Sequence, residues 1–127
     1  SGLDVSLLLP KESDSALVGA AASFYFSALL RCGVKIYLYE KGFIHAKTAV
    51  VDSRVSVIGT ANMDIRSFDL NFEIMSVIYS KNLGEEMERR FLQDLEDSEY
   101  ITLDSWSEQS SLKFLTYATA RLVSSLL

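Results

Sequence analysis

"GFIHAKTAVVDSRVSVIGTAN", residues 42–62, holds the one histidine of the 127-residue chain. Two apolar runs, "FIHAKTAVV" (43–51) and "VSVIG" (55–59), flank the polar triplet "DSR" (52–54). Runs of this length, rich in β-branched residues and separated by a short turn-forming cluster, predict a β-hairpin. Side chains on a strand alternate between faces. His45, Lys47, Ala49 and Val51 therefore share one face, and Ala46, Thr48 and Val50 the other. The imidazole and the ammonium then point the same way, about 6–7 Å apart along the strand. Asp52 has the opposite parity and stands at the strand's end, which suits it to a turn or a supporting role.

Outward from the hairpin, "LDVSLLL" (3–9) reads as a buried strand ended by Pro10. Ser13 or Asp14 is placed to cap a helix of about 17 residues, and Gly33 stops it. "VKIYLY" (34–39) and "NFEIMSVIYS" (71–80) read as further strands. "NLGEEMERRFLQDLEDS" (82–98) places Leu83, Met87, Phe91 and Leu95 on one helix face. A brief extended piece follows, then Asp104 as a cap, then helix to the C-terminus. Strands interleaved with helices predict an α/β fold, a mixed β-sheet flanked by helices. Residues 1–127 read as a single domain with no repeat or linker.

Hydrophobic residues at 49% and charged residues at 23% place the chain among ordinary globular proteins. A net charge of −5 counts against nucleic acid as a partner, because grips on phosphate backbones are usually basic. One cysteine, Cys32, cannot form an internal disulfide, which fits a reducing compartment, and its apolar helix predicts burial. No signal peptide is visible, and no apolar run reaches the roughly 18 residues of a membrane span. The first residues enter a strand at once, as expected of a domain cut from a longer chain.

The chemistry concentrates after His45. "GTAN" (59–62) ends the second strand of the hairpin and supplies a tight glycine, the Thr60 hydroxyl and the Asn62 amide. A lysine, a hydroxyl and an amide around an imidazole make a phosphate cradle. A neutral, oriented imidazole attacks phosphorus well, and a carboxylate on its other nitrogen provides the orientation. Glu73, inside an apolar strand, needs a partner, and His45 is the expected one. Taken singly, each residue also has a bland reading: His45 as core, Lys47 as a snorkelling surface chain, Glu73 on a solvated face. Metal binding is poorly supported by one histidine and one cysteine. A Ser–His–Asp hydrolase would need a G-x-S-x-G elbow, which is absent.

"HAKTAVVD" (45–52) resembles the H-x-K-x-x-x-x-D (HKD) motif of the phospholipase D superfamily, and "GTAN" resembles the superfamily's G-S/T-x-N element. "LLLPKESDSALV", "GVKIYLYEKGFIHAKTAVVD", "GTANMDIRSFDLNFE" and "ARLVSSLL" are together similar to the C-terminal half of bacterial cardiolipin synthases. The resemblance implies one phospholipase D-like half-domain within a longer protein carrying two HKD motifs. It implies a phosphatidyltransferase that needs no metal or other cofactor and passes a phosphatidyl group between phosphatidylglycerol molecules through a phosphohistidine. Carried onto this sequence, His45 is the nucleophile or its acid/base partner. Lys47, Thr60 and Asn62 bind phosphate oxygens, Glu73 orients the histidine, and Asp52 supports the motif. The second histidine comes from the other HKD half of the same chain or from a dimer mate. The implied setting is a membrane surface, the cytosolic face of the bacterial cytoplasmic membrane. Two other readings stay open at this point: an HKD-type phosphodiesterase (phospholipase D or nuclease) completed by dimerisation, and a non-catalytic lipid-binding module. The closing "SSLKFLTYATARLVSSLL" (110–127) carries an apolar helical stripe, expected to pack on the sheet or to lie in the bilayer interface.

Overall fold

The computed structural model describes residues 2–11, 25–62, 67 and 69–107. In chain order the elements are β1 (Ser6–Pro10), α1 (Phe26–Arg31), β2 (Lys35–Tyr39), β3 (Thr48–Val51), β4 (Val55–Gly59), β5 (Met75–Tyr79), α2 (Lys81–Glu96), β6 (Ser98–Ile101) and α3 (Leu103–Ser107). This is the mixed α/β arrangement expected, with the strands divided between two three-stranded sheets. The chain divides into two compact units, one drawn from segments 1–44 and 97–127, the other from His45–Glu96.

The first unit holds the sheet β1–β2–β6. β1 and β2 are parallel, with Leu7 opposite Ile36, so the chain between them must cross over, and α1 lies on that crossover. β6 runs antiparallel to β2, with Ile36 opposite Ile101. Pro10 ends β1 from inside the strand rather than beyond it. Its missing N–H is tolerated because β1 is an edge of this sheet. Ile36 is fully buried and forms the core with Phe26 and Ile101, backed by Leu9, Leu29, Leu38 and Trp106. The Phe26 and Trp106 rings meet at 4.9 Å in a tilted pair. Lys11 bridges Glu40 at 2.6 Å and Glu99 at 2.8 Å. The hydrogen bond it donates to Glu40 leads in holding its ammonium well above the usual lysine range.

Two local expectations change. The hydroxyl at the head of α3 belongs to Thr102, whose Oγ1 accepts the Ser105 N–H at 3.1 Å. Ser105 Oγ accepts the Thr102 N–H at 3.1 Å in return, a reciprocal cap that leaves Asp104 inside the first turn. Cys32, expected to be buried, is exposed. It sits at the C-cap of α1, where the chain turns out through Gly33 at φ 86°. The proposed caps Ser13 and Asp14 and the tail stripe 110–127 lie outside the described residues.

The second unit holds the antiparallel sheet β3–β4–β5 with α2 against β3 and β4. The β3–β4 hairpin closes through Asp52 and Ser53, both at positive φ (49° and 53°), with Arg54 N–H donating to Val51 O at 3.0 Å. Paired positive φ values are the twist that matches two strands in a tight hairpin. The expected face of α2 is present: Leu83, Met87, Phe91 and Leu95 are each half-buried. Ser80 Oγ accepts the Leu83 N–H at 3.4 Å at the head of the helix. Gly84 is buried where α2 meets the hairpin turn. A Cβ there would lie 2.4 Å from the backbone carbon and oxygen of Ser53, so only glycine lets the helix approach this closely.

Candidate active site

β3 is shorter than the sequence suggests. The strand spans Thr48–Val51, and His45 and Lys47 lie on the extended segment leading into it. Lys47 is still tied to the sheet, because Gly59 N–H donates to Lys47 O at 3.0 Å. The strand parity does not place the two side chains as a simple pair. Lys47 Nζ turns back to donate to the main-chain carbonyl of His45 at 2.9 Å. An ammonium has three donors, so two remain for an anion after that bond. His45 is exposed and also engaged in a contact of its own.

The "GTAN" segment continues β4 past its end. Gly59 stands where a Cβ would strike Met75 Sδ at 2.2 Å and Ile74 O at 2.3 Å, so β4 and β5 converge here only because position 59 has no side chain. Thr60 N–H donates to Ile74 O at 3.0 Å, and Ile74 N–H returns a bond to Thr60 Oγ1 at 3.0 Å. Locked in this way, the Thr60 hydroxyl donates to Glu73 Oε2 at 2.5 Å. Asn71 Nδ2 donates to the other oxygen, Oε1, at 3.3 Å. Together these hold the Glu73 carboxyl below its ordinary range, with the Thr60 hydrogen bond as the largest cause and the Lys47 charge as a smaller one. Partial burial works the other way.

The structure therefore brings Lys47, Thr60 and Glu73 together at one end of the second sheet. Asn62 is exposed on the loop just beyond, with its backbone N–H donating to Ser67 Oγ at 3.0 Å. Asp52 is placed in the hairpin turn at the far end of β3 from Lys47. Ser67 is the member that sequence reasoning missed. No spacing rule marks a serine in "DIRSFD", although its place eight residues after Gly59 is the signal a reader could have weighed. Among the described residues, no group of three or more His, Cys, Asp or Glu side chains is placed to hold a metal ion, and no helix is long and apolar enough to cross a membrane.

An ionised carboxylate held by hydroxyl and amide donors, with the charge of a lysine that itself reaches the His45 carbonyl acting on it, is chemically suited to phosphoryl transfer. The carboxylate can orient an imidazole, and the ammonium and amide can take up charge on non-bridging oxygens. Comparison with known proteins gives the family of the chain. The cardiolipin synthase of Clostridium perfringens strain 13 is 47% identical over all 127 residues, which span 27% of that protein. Cardiolipin synthase 1 of Bacillus cereus is 42% identical over the whole chain and 25% of its own length. The chain thus covers about a quarter of the length of the curated relatives it matches. The crystal structure of Nuc, a phospholipase D family member from Salmonella typhimurium, superposes with a TM-score of 0.67 at 18% identity, over 80% of this chain and 66% of that one, and shares its fold. The family model described as the cardiolipin synthase, PLD-like domain matches residues 1–95. With three-quarters of its length matched, the chain belongs to the phospholipase D-like domain family of the cardiolipin synthases.

Proposed function

We propose that this chain is the HKD-bearing half of a phosphatidyltransferase that makes cardiolipin from two molecules of phosphatidylglycerol. The observation that carries the reading is the cluster of Lys47, Thr60 and Glu73 beside His45, in a chain whose residues 1–95 match the family. In this reading a nitrogen of His45 attacks the phosphorus of the first phosphatidylglycerol. The P–O bond to the headgroup glycerol breaks, and a histidine of a second HKD half protonates the departing oxygen. The headgroup hydroxyl of the second phosphatidylglycerol then loses its proton to that same histidine and attacks the phosphohistidine. Cardiolipin forms and His45 is regenerated. Lys47 and Asn62 stabilise charge on the phosphate oxygens, and Thr60 holds Glu73, which orients His45.

Within this reading residues 1–127 form one phospholipase D-like domain, the C-terminal part of a protein with two HKD motifs. The second half comes from the same polypeptide or a dimer mate, and the reaction takes place at the cytosolic face of the bacterial cytoplasmic membrane. The test is product analysis from labelled phosphatidylglycerol vesicles with the native polypeptide carrying this sequence. Labelled cardiolipin and free glycerol are expected from wild type and neither from His45→Ala. Phosphatidic acid in place of cardiolipin would show water, rather than a second lipid, to be the acceptor and refute transferase function.

A further inference from the structure

Glu73 lies on the segment leading into β5, between Phe72 and Ile74, and both of these neighbours are exposed. Packing of its neighbours does not hold the carboxylate, so its place is set by hydrogen bonds. These come from two directions. At Oε2 the donor is the Thr60 hydroxyl, which in turn accepts the Ile74 N–H at the end of β4. At Oε1 the donor is the side-chain amide of Asn71, at 3.3 Å. An ionised carboxylate only accepts, so it is the amide nitrogen of Asn71 that faces Glu73. The last torsion of a glutamate side chain is broad and lacks sharp staggered wells. A carboxylate held by one oxygen therefore pivots about that bond, and a donor on the second oxygen sets its plane.

We propose that Asn71 is a positioning residue of the transfer site, setting the plane of the Glu73 carboxylate by holding the oxygen that Thr60 does not reach. The proposal rests on the phosphatidyltransferase reading, in which Glu73 orients His45. Lys47 acts on the main chain of His45, through its carbonyl. Glu73 acts on the ring. An sp² oxygen accepts a hydrogen best near the plane of its own group, so the plane of the Glu73 carboxylate decides where the imidazole N–H can sit. A tilt of that plane misplaces the attacking nitrogen. Such a misplacement is felt in the chemical step more than in substrate binding. Asn71 thus acts through Glu73 and touches neither the phosphate nor the leaving group.

The experiment compares Asn71→Leu and Asn71→Asp with wild type in the native polypeptide carrying this sequence. Transfer is followed on phosphatidylglycerol vesicles. The Glu73 side-chain carboxyl is titrated by carbon NMR, its signal assigned by its loss in Glu73→Gln. Asn71→Leu removes the donor at similar volume and is expected to lower kcat about 10-fold with KM little changed. The lost donor favoured the ionised carboxylate, so the Glu73 midpoint and the acidic limb of the kcat profile move to higher pH. Asn71→Asp keeps the shape but sets a second carboxylate against the first, so its shift is expected to be larger. It decides the matter if Asn71→Leu does not fold. In a Glu73→Gln background, Asn71→Leu should cost little more, because the two residues act as one unit. Unmoved midpoints with full kcat in the folded variants would overturn the proposal. So would a loss of kcat equal at every pH, the mark of a merely structural role, or a full second loss on top of Glu73→Gln. The underlying reading fails separately: His45→Ala that still formed cardiolipin would overturn it together with the role of Asn71 in transfer, whereas the Glu73 midpoint answers for the Asn71 contact alone.

Discussion

Gly84→Ala sets two known effects against each other, and the structure decides which wins. Alanine in a helix interior is favoured over glycine by about 1 kcal/mol, so propensity alone predicts stabilisation. The added Cβ, however, would lie 2.4 Å from Ser53 C and O and 2.6 Å from Arg54 N. Carbon contacts settle near 3.5–4.0 Å, so helix and turn must separate by about 1 Å. The obstructing atoms are backbone and cannot rotate aside. That backbone is held by the Arg54–Val51 hydrogen bond, by two residues at positive φ, and by the bond from Ser53 Oγ to Glu88 on the same helix. Overpacking of this kind costs about 1–3 kcal/mol, and backbone obstruction puts the cost at the upper end. The net expectation is a loss of about 2 kcal/mol. In urea, with a slope of about 2 kcal/mol per molar, the midpoint falls by about 1 M. Asn82→Ala, at an exposed position on the same helix, is the control and should stay within about 0.5 kcal/mol of wild type. A Gly84→Ala midpoint equal to or above wild type would show that the helix and turn are not in the contact described.

Ser56 is fully buried in β4, and its hydroxyl finds no hydrogen-bond partner among the described residues. Ser56→Ala should therefore leave stability unchanged or raise it by up to about 1 kcal/mol in urea unfolding, where most core truncations lower it. Lys47→Ala and Asn62→Ala should each lower the rate on the order of 10²–10³ at saturating phosphatidylglycerol while circular dichroism stays native; near-normal turnover would remove that residue from the phosphate cradle. Glu73 titrates below its ordinary range in the folded protein. Its contribution to stability is therefore present above the unfolded carboxylate pKa and is lost as pH falls through the lower, folded value. Urea midpoints measured down the acidic range should fall more steeply for wild type than for Glu73→Gln, and parallel curves would contradict the hydrogen bonding at that carboxylate.

The hairpin at the centre of the site was legible because its apolar alternation and its turn residues agree. What the alternation could not show is where pairing ends. β4 stops at Gly59, whose N–H reaches only as far as Lys47 O, so the apolar residues before Lys47 stay outside the β3–β4 ladder. Glu73 was marked by its place in an apolar strand, and His45 was its expected partner. The donors on its two oxygens are the Thr60 hydroxyl and the Asn71 amide, which alternation along a strand does not mark. At α3, Thr102 and Asp104 are both good caps. The choice falls to Thr102 because β6 ends at Ile101, fixing where the helix can begin. Cys32 followed an apolar run, yet its exposure is set by the turn through Gly33 rather than by the run.

The division of the chain also sets an order of assembly during translation. The second unit is continuous, so β3, β4, β5 and α2 can fold as soon as His45–Glu96 has left the ribosome. The first unit is split around it. β1 and β2 emerge early, but the strand that covers the far edge of β2 is β6, and Ile36 meets Ile101 only after the whole second unit has been made. At about 5–20 residues per second, β1 and β2 wait several seconds as a two-stranded ribbon. Such a ribbon is marginal in water, and its open edge pairs readily with other chains. Nascent chains stalled between Tyr39 and Ser98 are therefore the species most in need of a chaperone, and pauses in decoding that interval lengthen their exposure.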